Sequence, residues 1–367
     1  MTRRKTASGS SICRRLGDRP GCDWSQVDLR LKMYPRIKLS LRVNMRVKIL
    51  AAVAAAALVA AALTIGNNET MWDHSDHGHW PSEFQVVEVP APGGGTDRAY
   101  FLSSEEAAPL LVSLHTWSGD YAQEDPLARA AAEMGWNYIH PNAAGPNNRP
   151  EACLSDLVIE SIDAAIDFAR EHGRVDEDRV MVVGVSGGGY TALGAYLRSR
   201  SKISHVFAWV PISDLDAWYW QSKARGNKYA DDIAACVGGE YSREAARSRS
   251  PLHWNAAPPD NRRLSIFAGI NDGYTGSVPV SHSTLFFEMA TQREIGAAIL
   301  AAILSRGMPA TNGRIGDRSV IFYDTNGEVD LTIFDGGHEM LVDHQIHLLR
   351  AVAAAWRGRV GSAPEPE

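Results

Sequence analysis

The sequence predicts an α/β fold: an eight-stranded, mostly parallel sheet flanked by helices, with an aromatic-rich insertion after the sixth strand. Three observations carry this. Short apolar runs alternate with longer amphipathic segments from residue 84 onward, the first two runs are close enough to pair as a hairpin, and a Gly-x-Ser-x-Gly stretch falls between a strand pattern and a helix pattern. Taken in order, strands are expected at 84–89 and 98–102, joined by a Gly-rich link that suits an antiparallel turn. Further strands follow at 110–114, 137–140, 180–183, 205–210, 264–268 and 330–334. Amphipathic stretches at 127–134, 156–171, 188–198, 283–304 and 341–356 supply the crossovers that parallel strands require. Residues 213–259 contain Trp218, Tyr219, Trp220, Tyr229 and Trp254 and are expected to form a lid or cap, although any one of these rings also serves as ordinary packing.

Length and composition bound the remainder. With 367 residues, 45% of them hydrophobic, the chain can bury a large core, so disorder is not the default. Charge is uneven: residues 1–48 hold 13 Lys and Arg against three Asp, which leaves 24 basic and 40 acidic residues in the rest. A surface of that sign disfavours nucleic acid and anionic lipid as partners. From Met45 a short basic stretch precedes an Ala-rich apolar run to Ile65, the pattern of a secretory signal peptide over 45–62, with Ala60 and Ala62 suiting cleavage. A short membrane anchor is the competing reading, and no stable membrane association is expected after cleavage. Residues 1–44 then read as a basic extension, or as sequence ahead of a true start at Met45. A polar leader is expected over 63–81, the folded catalytic domain over 82–359 and a short tail over 360–367, in a secreted or periplasmic protein. Cys153 and Cys236 are the two cysteines of the exported region and form a candidate disulfide, with two buried thiols as the alternative. The His- and Asp-rich stretch 73–79 reads as a mobile tail before it reads as a metal site.

The sharpest signal is Gly184-Val185-Ser186-Gly187-Gly188-Gly189-Tyr190, entered by a strand and left by a helix. Such a turn presents a serine on strained backbone where only small neighbours avoid a clash: a nucleophile elbow. A serine hydroxyl needs a base, and His338 in Gly336-Gly337-His338, after the last strand, is placed to supply it. The third member is Asp272, after the seventh strand, or Asp214, after the sixth; Asp272 is favoured because the fold's chain order is Ser, acid, His. Oxyanion donors are expected from the N–H of Gly187 and from the loop after the third strand, His115-Thr116-Trp117-Ser118-Gly119-Asp120. Trp117 is the candidate donor there, or a wall of the pocket, with the hydroxyl of Tyr121 as an alternative donor. Tyr121, Tyr190 and Trp218 are candidate pocket residues. No cofactor is required by this chemistry, and no zinc-type cysteine spacing, Walker loop or dinucleotide fingerprint occurs.

Taken in order, these residues match the α/β-hydrolase fold, and from about residue 110 the chain resembles the catalytic domain of the prolyl oligopeptidase family and related bacterial esterases. The resemblance rests on Leu114-His115, the elbow at 184–189, Asp272 and Gly337-His338. It implies serine acyl-transfer chemistry on a small ester or a short peptide. Two departures stand out: Val278 follows the acid only after a longer Gly-Tyr-Thr-Gly-Ser stretch, and the family's N-terminal β-propeller has no room in these 367 residues. The expectation is an esterase acting on a carbohydrate or aromatic-acid ester, with a serine peptidase on short peptides as the alternative.

Overall fold

The computed structural model describes residues 80–257, 259 and 261–360, with side chains up to 355. The expected basic extension, the signal peptide, the His-rich stretch and all but the end of the leader lie outside the described residues.

The chain builds a sheet in the order β1-β2-β4-β3-β5-β6-β7-β10-β9-β8. β1 (Gln85–Pro90) and β2 (Thr96–Leu102) pair antiparallel, and β2 pairs antiparallel with β4 (Asn137–Pro141). β3 (Ala108–Leu114), β5 (Val175–Val185), β6 (His205–Trp209), β7 (Arg263–Gly269) and β10 (Val329–Phe334) continue from β4 as a parallel array. Side chains alternate between faces as the strand period demands. Val180 and Val182 of β5 and Val206 and Ala208 of β6 enter one core, while Met181, Val183, Phe207 and Trp209 enter the other. The first core is closed by α2 (Asp156–His172) and α3 (Gly187–Arg198), the second by α1 (Pro126–Glu133) and α9 (Val342–Val360).

Among the described residues ten strands replace the expected eight. The additions are β8 (Arg314–Ile315) and β9 (Arg318–Thr325), antiparallel at the β10 edge. The expected single helix at 283–304 is two, α7 (Ser281–Thr291) and α8 (Ala297–Leu304). Gln292 takes a left-handed conformation (φ 55°) that ends α7, and Arg293 then turns to meet Asp324 and the Thr325 carbonyl on β9. Edge strand and helix break thus arise together.

The insertion folds as α4 (Leu215–Arg225), α5 (Tyr229–Cys236), α6 (Arg243–Ser248) and a 3-10 turn (Pro251–His253). α4 starts on Asp214, whose side chain accepts from the N–H groups of Asp216 and Ala217, and ends on left-handed Gly226. α6 is stapled to it through Asp216, which binds Tyr241, Arg243 and Arg247.

Candidate active site

Ser186 is the single residue between β5 and α3, at φ 56° and ψ −116°. The turn is tight because three backbones converge there. A Cβ on Gly184 would lie 2.1 Å from the Gly188 carbonyl, one on Gly188 2.4 Å from the Leu114 carbonyl, and one on Gly187 2.3 Å from the backbone N and Cα of Trp117. Glycine is therefore needed both for the elbow and for the approach of the loop leaving β3. The Ser186 N–H donates to the Trp209 carbonyl, tying the elbow to the end of β6.

Asp272 follows β7 and His338 follows β10, at the same end of the parallel array as Ser186. Asp272 Oδ2 lies 2.7 Å from His338 Nδ1, and both side chains are buried. The other carboxylate oxygen, Oδ1, accepts from the N–H groups of Gly273 (2.8 Å) and Val278 (3.0 Å). The longer stretch after the acid thus loops back and delivers the valine N–H to the carboxylate, so the departure in spacing leaves the acid held. The two loops are in intimate contact, since a Cβ on Gly276 would meet both Asp272 Oδ1 and His338 Cβ. Met340, two residues after His338, lines the same small cavity as Val185, the residue before Ser186. Asp214 is engaged elsewhere: besides capping α4 it lies 3.0 Å from His253 Nε2. His282 beside it accepts the Ser213 and Asp214 N–H groups at Nδ1, and burial pushes it down to about 4, as a neutral acceptor requires.

The loop after β3 is braced from several sides. His115 sets its ring nitrogens against the carbonyls of Thr116 and Asn142, both at 2.8 Å, and the Thr116 N–H donates to Gln123 Oε1. The Trp117 carbonyl accepts from the Asn147 N–H. The Trp117 N–H itself meets no protein acceptor among the described residues, and it stands against Gly187, at the first turn of α3 where N–H groups lack helical partners. Two backbone donors side by side next to the serine are the arrangement an oxyanion requires.

The three candidate pocket residues are placed differently from the expectation. Tyr190 and Trp218 are fully buried, with the Tyr190 hydroxyl donating to the Cys153 and Arg249 carbonyls and the Trp218 indole donating to the Ser277 carbonyl. Tyr121 accepts from Arg98 on β2 and faces Tyr100, so its hydroxyl is occupied away from the elbow. Tyr190 and Trp218 both pack against the Trp117 ring, and Trp218 also holds the loop after β7. Sequence reasoning missed Gln123, Asn147 and Asp232, the last of which accepts the Trp117 indole N–H at 3.1 Å. The insertion thus reaches both loops, the one after β3 through α5 and the one after β7 through Trp218 and Arg225. Cys153 and Cys236 are disulfide-bonded, with 6.0 Å between their Cα atoms.

Comparison with known proteins bears on the fold. The model of the prolyl oligopeptidase family matches residues 132–303, which contain the elbow, the insertion and Asp272. Among solved structures, acylaminoacyl peptidase from Pyrococcus horikoshii superposes with a TM-score of 0.52 at 16% identity, over 78% of this chain and 43% of that one. The chain has the α/β-hydrolase fold. A puromycin hydrolase gives the same picture (TM-score 0.51, 17% identity, 77% and 40% of the two chains). So does the puromycin-hydrolyzing peptidase of Mycobacterium tuberculosis (TM-score 0.50, 18% identity, 75% and 40%). The chain spans less than half the length of each of these structures. No curated protein matches it in sequence. It resembles the prolyl oligopeptidase family and carries the residue types of a serine hydrolase.

Proposed function

We propose that this α/β-hydrolase is a serine peptidase acting on short peptides, with Ser186 as nucleophile, His338 as base and Asp272 as the acid. The observation that carries the residue roles is the 2.7 Å Asp272–His338 pair, beside the turn that sets Ser186 on strained backbone. Asp272 holds the imidazole by Nδ1 and stabilises the positive charge it acquires. Ser186 Oγ attacks the carbonyl carbon while its proton passes to His338 Nε2, and the oxyanion takes hydrogen bonds from the Gly187 and Trp117 N–H groups. His338 returns the proton to the leaving nitrogen as the C–N bond breaks, and water activated by the same imidazole then cleaves the acyl-enzyme.

The family match favours a peptide over an ester, which reverses the order expected from the sequence. The bond between Cys153 and Cys236 supports export, because disulfides persist in oxidising compartments. The test is kcat/KM on aminoacyl and prolyl arylamides against p-nitrophenyl acetate, with Ser186→Ala as the blank. Arylamide turnover lost in the blank is the expected result. Turnover of the ester alone would restore the ester reading to first place.

A further inference from the structure

The oxyanion loop is one member of a closed ring of contacts that runs through the insertion. Starting from Trp117, the indole N–H donates to Asp232 on α5. α5 ends at Cys236, bonded to Cys153. The Cys153 N–H donates to Asn147 Oδ1 at 2.8 Å, and the Asn147 N–H donates to the Trp117 carbonyl at 2.9 Å, which closes the ring. A second strut runs parallel to the first link, from Lys228 at the start of α5 to the hydroxyl of Ser118, the next residue of the loop. Cys153 and Asn147 are 0% and 3% exposed, so neither contact competes with bulk water. Trp117 is packed edge-on against Trp218, with ring centroids 4.7 Å apart, so its indole has little freedom to turn away from Asp232.

We propose that Asp232 and Asn147 are positioning residues for the oxyanion hole, and that the disulfide is the covalent link that makes their effect cooperative. The inference rests on the reading of the Trp117 N–H as an oxyanion donor. That donor belongs to a loop residue, and its direction is set by the plane of the Thr116–Trp117 peptide. Asn147 fixes the next peptide by its carbonyl, and Asp232 fixes the side chain, so the residue is gripped at both ends. An oxyanion donor acts on the transition state more than on bound substrate, so loosening this grip lowers kcat and leaves KM nearly unchanged. Asp232 and Asn147 act through Trp117 and the disulfide closes the ring behind them, so Trp117 alone among the ring's members meets the substrate. An insertion that looks like a lid is on this view the brace of the catalytic loop.

The test uses p-nitrophenyl acetate as probe substrate and a fluorophosphonate as label for the nucleophile, on the full chain. Ser186→Ala must abolish both signals; if it does not, the reading of the site fails, independently of the ring. Given that control, Asp232→Ala should lower kcat about 10- to 100-fold with KM within about twofold. Asp232→Asn, which keeps an acceptor for the indole, should recover most of the loss. Trp117→Phe deletes the indole donor, keeps the backbone N–H and serves if Asp232→Ala does not fold. The Cys153→Ser/Cys236→Ser pair should reproduce the kcat effect, and combining it with Asp232→Ala should add little, because one ring is opened only once. Folded variants whose kcat stays within twofold, or losses that multiply in the combination, would overturn the proposal.

Discussion

Ser186 sits in a region of backbone space that L-residues occupy only under compulsion, and such conformations cost on the order of 1–3 kcal/mol. Strain of this kind gathers around it: Val210, at the end of β6 and β-branched, is at φ 42°, and Cys153 and Leu154 are at 51° and 52°. The elbow sets Ser186 at the end of β5, the same end of the parallel array as Asp272 and His338, so the strain belongs to function. Its removal should therefore be visible as stability. Ser186→Gly relieves the Cβ clash, offset by about 0.5–1 kcal/mol of extra freedom in the unfolded chain, whereas Ser186→Ala keeps the Cβ and the strain. Both variants should be inactive, and the glycine variant should melt about 2 °C above the alanine one. A glycine variant that melts below the alanine one in a calorimeter would mean that the turn is not strained. At the same scale Asp272 shows why an irregular spacing can still work: the carboxylate needs N–H groups from Gly273 and Val278, and any loop that returns Val278 to it suffices.

At the scale of elements, the insertion is joined to the body by packing and by a disulfide that closes 83 residues, from the loop before α2 to the end of α5. Closing a loop of that length removes unfolded-chain entropy equivalent to about 4.5 kcal/mol. The Cys153→Ser/Cys236→Ser pair should lower the melting temperature by roughly 10 °C, with the transition still cooperative because Trp117, Tyr190 and Trp218 keep the insertion in the main core. Two separate transitions would show instead that the insertion is an independent unit. What the sequence allowed to be read follows the same division between local and distant causes. Eight strands were legible because their apolar runs are bounded by turn residues. β9 was not, since of Arg318–Thr325 only Ile321 and Phe322 are buried and the edge faces solvent; its one local mark is the Asn326-Gly327 turn ahead of β10. Likewise the elbow, the Gly-Gly-His loop and the aspartate after β7 are written in adjacent residues. Asp232 reaches its partner across 115 positions, and nothing beside it in the chain singles it out from Asp231.

For the whole molecule, acid stability is set by histidines that the fold keeps neutral. Burial pushes His140 down to about 3, aided by neighbouring His115 and opposed by the carbonyls of Asp120 and Ser113 and the Asp120 carboxylate. It pushes His205 to about 3, aided by Arg263, and His282 to about 4, where Asp214 opposes and Arg225 assists. In the unfolded chain all three titrate near 6.5. Between that value and about 4 the unfolded state therefore holds more protons than the folded one, and stability must fall as pH falls. Three such groups give a slope of up to about 4 kcal/mol per pH unit. Asp125 and Asp330 act in the opposite sense: burial raises both, so the folded protein retains protons there that the unfolded chain has released. The net slope is smaller for that reason. The urea midpoint should stay level above pH 7 and decline steadily from pH 6.5 to 4. His205→Gln, which keeps a polar group facing Ser265 but cannot titrate, should flatten the decline by about a third. A midpoint independent of pH across that window, or a decline untouched by the substitution, would mean that His205 is charged in the folded protein or protonated alike in both states.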